Sequence, residues 1–192
     1  SHNISWVNFG LRLPFTYAWG QAAATSLTYL LIFTFNAYAM YLFAYDQTRS
    51  RAGAWIAGLI FGFFPTTLTD SGHINMLPVG WLPLALLYLD RVLKAPGWRN
   101  ACLAGLFLAL LGITRWQLLA IGAIPAAIFV IFRLFTYRSK VNWHTFARVA
   151  ASGGVAALIM APFLAPVVIA QVTRSHANDL IVYEPAFSSD LL

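Results

Sequence analysis

Six stretches of this chain carry no Asp, Glu, Lys or Arg: residues 13–45, 52–69, 71–89, 100–114, 116–132 and 149–173. A bilayer-spanning helix needs about 20 mostly apolar residues, and nothing but helices or closed barrels can bury their backbone polar groups in lipid. With 9% of residues charged and 60% hydrophobic, against about 25% charged in a soluble domain, the chain reads as an all-α, polytopic transmembrane bundle. The expected membrane segments are 19–45, 52–64, 77–93, 100–113, 118–132 and 149–170. They form one transmembrane domain over 1–192, preceded by an interfacial segment over 1–18 in which Pro14 ends or kinks a helix.

Two segments are short. Residues 52–64 give 13 residues before Pro65, about 20 Å of helix against a hydrocarbon core of about 30 Å; residues 100–113 are similar. A continuous helix over 100–132 would place Arg115 at its middle, so a hairpin turn is expected near residues 112–117. Gly58 and Gly62 form a GxxxG spacing that admits another helix closely, and Gly153 and Gly154 suggest the same for the last span. Pro78 is expected in the first turn of its helix and Pro83 at a kink.

The charges also set an orientation. Of the twelve basic residues, Arg49, Arg51, Arg91, Lys94, Arg99, Arg133, Arg138, Lys140 and Arg148 fall in one set of loops and only Arg12, Arg115 and Arg174 in the other. The excess marks the cytoplasmic side, so both termini are expected outside. The net charge of +6 is therefore a topology signal, and no nucleic-acid stripe is present. A single cysteine, Cys102, excludes an internal disulfide and CxxC chemistry. Six of the seven tryptophans lie near segment ends, as headgroup-level anchors do. The chain begins at Ser1 without a signal-peptide pattern, and is expected to be processed or a piece of a longer protein.

On the outward side, residues 65–83 bring Asp70, His73 and Asn75 within six residues of one another, between almost wholly apolar segments. Asp70 and His73 suit a base with its orienter, or a shared metal; equally, Asp70 suits a helix N-cap and His73 the interface. Arg115 suits a phosphate, because its fork pairs with two oxygens at once; equally, it suits a hairpin tip snorkelling to headgroups. Gln117 stands beside it. The two short helices are expected to be neighbours, bringing Asp70 and Arg115 to one ligand. Asp46 and Asp90, beside arginines at helix ends, read as local ion pairs. Walker, GxGxxG, HExxH and GxSxG motifs are absent from the sequence.

Residues 54–65, AWIAGLIFGFFP, and 72–93, GHINMLPVGWLPLALLYLDRVL, resemble bacterial polytopic membrane proteins of the GT-C glycosyltransferase type. There an aromatic-Pro segment end is followed by a Gly-His-x-Asn-like loop and a Trp-Leu-Pro helix. The tail FSSDLL, 187–192, is similar to a Ser-x-Asp-Leu-Leu after a later span of those proteins. The resemblance implies an inner-membrane, multi-pass protein that takes a sugar from a polyprenyl-phosphate carrier on the outer face. Gly72, His73 and Asn75 match the family loop. The family's catalytic acid generally lies in a large first outer loop, of which residues 1–18 resemble only the end, so no catalytic residue and no cofactor is assigned. A non-catalytic subunit of a larger membrane complex and part of a transporter are the alternatives; membrane lipid and other membrane subunits are the expected partners.

Overall fold

A computed structural model describes residues 6–64, 77–95, 97–138 and 142–177. Among them are six helices and no strand: α1 (Trp6–Thr48), α2 (Arg51–Gly62), α3 (Trp81–Lys94), α4 (Trp98–Thr114), α5 (Trp116–Thr136) and α6 (Trp143–Ala177). The chain divides into two compact units, Ser1–Met160 and Ala161–Leu192; in the second, α6 continues to Ala177 through Pro162 and Pro166.

Three helical stretches are long and apolar enough to cross a membrane: Leu13–Thr48, Trp116–Thr136 and Trp143–Ala165. Burial is inverted relative to a water-soluble bundle. Ile121, Ile124, Ile128 and Phe132 on α5 are each more than 60% exposed, whereas Thr28, Asn36, Asp90, Thr145 and Ser152 are fully buried. An apolar stripe at helical spacing on the outside, with polar groups turned inward, is what lipid as solvent selects. This is a membrane protein.

Pro14 does not end α1. The break comes at Gly20, whose φ of 81° and ψ of 171° interrupt the helical run; a residue without Cβ adopts that conformation at little steric cost. Residues 21–48 then run as one helix. Arg49, with φ 58°, stops α1 in a left-handed turn while its N–H still reaches Tyr45 O. Ser50 next accepts from Gly53 N at 3.2 Å and caps α2. The hairpin between α1 and α2 is thus made by two residues, each using the conformation its position demands.

Gly58 and Gly62 do receive a helix, and it is α1. A Cβ at Gly58 would lie 2.6 Å from Ala37 O, and one at Gly62 2.7 Å from Ala37 Cβ. The expected pairing of the two short helices through these glycines is therefore corrected: α2 packs its glycines on α1, while α4 lies against α3 and α5. Gly62→Leu forces backbone apart at a point with no flexible side chain to yield, and overpacking of this kind costs about 1–3 kcal/mol. The expected result is a lowered unfolding midpoint in mild detergent, with Gly53→Ala, whose Cβ would meet only Ser50 at 3.4 Å, unchanged.

The glycines of the last helix are also reassigned. A Cβ at Gly153 or Gly154 would meet nothing within 4 Å; the close approach to α6 is made by Gly105 of α4, where a Cβ would lie 2.5 Å from Ser152 O. α3 begins at Trp81, so Pro78 precedes the helix, and Pro83 lies in its first turn, where a missing N–H is harmless. Consequently α3, at 14 residues, is shorter than α4 at 17. Among the described residues the two shortest helices are α2 and α3.

Candidate functional site

Polar chemistry is gathered at the two ends of this bundle. At one end α1, α3 and α5 finish together. Asp90 of α3, fully buried, faces Lys94 Nζ at 2.6 Å and Arg133 Nε of α5 at 3.0 Å, and accepts from Gln47 Nε2 of α1 at 2.9 Å. The Arg133 contact is an ion pair whose N–H is not aligned as a hydrogen bond. Asp46 of α1 accepts from Arg91 Nη2 and Lys94 Nζ, both at 3.1 Å. Lys94 therefore joins the two carboxylates. The Arg133 guanidinium also lies over the rings of Phe129 and Tyr137, 5.2 and 5.5 Å from their centroids.

The expectation of local ion pairs is corrected here. Asp46 pairs with α3 rather than with Arg49 or Arg51, and Asp90 adds a partner from α5 to its own-helix lysine. Three cations meet two anions in a partly dry setting, where breaking one pair is far costlier than at an exposed surface. No pattern local to either acid announces this; Gln47, polar and next to Asp46 at the end of an apolar run, is the nearest thing to a signal.

Midway along α1, Asn36 is fully buried and uses both ends of its carboxamide. Nδ2 donates to Leu77 O at 2.7 Å, and Oδ1 accepts from Gly80 N at 2.8 Å. It thereby serves as the cap that Gly80 itself cannot provide. A Cβ at Gly80 would touch Phe35, as one at Gly62 would touch Ala37, so α2 ends and α3 begins at the same level of α1. That level is ten residues, about 15 Å, from Asp46 and sixteen, about 24 Å, from Gly20. Backbone leaves helix there alongside the apolar span of α1, and irregular backbone within lipid is tolerated only when protein or a water-filled cavity surrounds it. Asn36 was the residue to suspect in the sequence: with Gln21 near its start, it is one of two carboxamides inside a 33-residue charge-free run.

At the opposite end α4 and α5 meet at Arg115, which is extended (φ −162°, ψ 126°) and serves as the last cap of one helix and the first of the other. The chain reverses there, as the hairpin expectation requires: a Cβ on Gly122 would lie 3.3 Å from Leu111. Arg115 stands eighteen residues, about 27 Å, along α5 from Arg133, close to the thickness of a hydrocarbon core of about 30 Å. Its side chain is half-buried, with no acid or hydrogen-bond partner among the described residues. Two residues on, Gln117 Oε1 is buried and has no partner among the described residues.

Asp70, His73 and Asn75 lie outside the described residues; of the five candidate site residues, Arg115 and Gln117 are placed. No protein-family model, curated protein or solved structure matches this chain.

Proposed function

We propose that this chain is a multi-pass protein of a bacterial inner membrane, of the GT-C glycosyltransferase type, with six membrane segments and both termini on the outer face. In this reading Arg115 receives the phosphate of a polyprenyl-phosphate sugar carrier.

The observation that supports it is the isolation of Arg115. At the other end Arg91, Lys94 and Arg133 are each held by a carboxylate, whereas Arg115 is a half-buried guanidinium with no counterion among the described residues. An uncompensated cation near the apolar region is costly unless an anion joins it, and a phosphate matches its fork. Gln117, whose carboxamide oxygen has no partner among the described residues, adds a polar group on the same turn suited to a sugar or diphosphate. A groove of about 360 Å³ between α1 and α2, walled by Tyr38, Tyr41, Trp55, Leu59 and Phe63, offers an apolar surface of the kind an isoprenoid tail requires.

A transporter role is the second reading, favoured by α2 ending and α3 beginning part-way along α1, as the discontinuous helices of carriers do. Binding of polyprenyl phosphate to the purified protein separates the two. Arg115→Glu is expected to weaken it by about 10-fold or more, the worth of charge-assisted hydrogen bonds, and Arg115→Lys by less, since a point charge keeps the attraction and loses the fork. Equal binding by wild type and Arg115→Glu, with unchanged stability, leaves Arg115 as a hairpin tip among headgroups and removes the carrier reading.

A further inference from the structure

We infer that the junction of α5 and α6 is a binding site for one anionic glycerophospholipid, separate from the Arg115 end. A groove of about 400 Å³ lies there, walled by Ile131, Leu134 and Phe135 of α5 and Phe146 of α6, with Arg138 at its edge. Phe135 is 75% exposed, Ile131 53% and Phe146 49%, so the walls are open to a chain entering from the bilayer.

Charge selects the occupant. The ends of α1, α3 and α5 and the starts of α2, α4 and α6 carry Arg49, Arg51, Arg91, Lys94, Arg99, Arg133, Arg138 and Arg148. The acids among the described residues are Asp46 and Asp90, and both are engaged by Arg91, Lys94 and Arg133. Arg148 lies over the Trp98 ring, 5.8 Å from its centroid. Arg138 remains exposed, five residues beyond the arginine that Asp90 holds and without an acid among the described residues. A guanidinium at the rim of an apolar cleft is matched by a molecule with a phosphate at one end and an acyl chain at the other. Free phosphate leaves the cleft unfilled. A zwitterionic headgroup brings its own cation, which competes with Arg138 for the phosphate and adds to a field already positive, so a net-negative lipid is preferred. The fork of Arg138 fixes the phosphate, while the aromatic rings of Phe135 and Phe146 hold the first methylenes of the chain.

The test is lipid titration of the full chain in detergent, read by native mass spectrometry, with phosphatidylglycerol and phosphatidylcholine as probes. One phosphatidylglycerol is expected to bind in preference to phosphatidylcholine, about tenfold more weakly to Arg138→Gln and at an intermediate level to Arg138→Lys. Phe135→Ala is expected to weaken it as well, and Arg115→Gln to leave it intact. Phosphatidylglycerol should raise the thermal midpoint of wild type, as any ligand of the native state does, and not that of Arg138→Gln. Equal affinity for the two lipids, full binding by Arg138→Gln, or loss with Arg115→Gln alone overturns the assignment. Arg138 is exposed and outside the buried ion cluster, so its variants report on binding with the fold retained.

Discussion

Asp90→Ala is expected to destabilise the protein by about 3–5 kcal/mol, the cost of removing one partner from a buried ion pair. The residue is fully buried, and its removal strands Arg133, whose side chain is 17% exposed, and frees one of the two anions that hold Lys94. Lys94, 34% exposed, retains Asp46 and turns part of its charge to water, so Arg133 carries most of the penalty. Asp90→Asn should fall between, because the amide keeps an acceptor for Gln47 and loses the charge. Replacing both partners, as in Asp90→Leu with Arg133→Met, should recover much of the loss, since an apolar pair leaves no unpaired charge behind. Reversible unfolding in mixed micelles measures all three; a change under about 0.5 kcal/mol in Asp90→Ala, the range of neutral surface substitutions, would falsify a structural role for the cluster.

Asn36→Leu should be milder and more local. It leaves Gly80 N buried without a partner, worth about 1–3 kcal/mol, and takes from Leu77 O one of its two donors, the Val79 N–H remaining at 2.8 Å. The loss is concentrated at the entry to α3, where Gly80 provides no side-chain cap. Hydrogen exchange over residues 79–84 should therefore rise well before exchange over residues 85–93, whose helical bonds do not involve Asn36. Asn36→Asp separates the two bonds, because a carboxylate still accepts from Gly80 N and can no longer donate to Leu77 O. If exchange at Gly80 and Trp81 is unchanged in Asn36→Leu, the carboxamide is not what starts α3.

How much of this was legible depends on the range of the interaction. The all-helical membrane class follows from charge-free runs alone, and the reversal at Arg115 follows from the cost of a guanidinium in mid-helix. Both are local facts. The spacing of Gly58 and Gly62 says that a backbone comes close, but a missing Cβ carries no address, and α1 rather than α4 fills the notch. Gly153 and Gly154 illustrate the converse, because a glycine pair facing open space looks the same in sequence as one facing a helix. Pro78 and Pro83 are both compatible with a helix start, and which of them takes that position is decided by Asn36, 42 residues before Pro78. The partners of Asp46 lie 45 and 48 residues away, beyond any periodicity, so nearby arginines were the natural but incorrect choice. For the site itself, the sequence isolates Arg115 and Gln117 as polar groups at a helix junction, and that the Arg115 guanidinium and Gln117 Oε1 lack partners among the described residues emerges only from the packed structure.

The sharing of Lys94 by two carboxylates has a consequence for inheritance. Because Asp46 and Asp90 draw on one ammonium, and Asp90 also draws on Arg133, a substitution at any of these positions alters the charge balance felt by the rest, and neighbours in one network do not contribute additively. A lineage that loses Asp90 gains by losing Arg133 as well, and one that neutralises Lys94 leaves Asp46 dependent on Arg91. Positions 46, 90, 91, 94 and 133, spread over three helices, are thus bound to drift as a set, whereas the lipid-facing isoleucines of α5 are free to exchange one at a time for any side chain of similar greasiness.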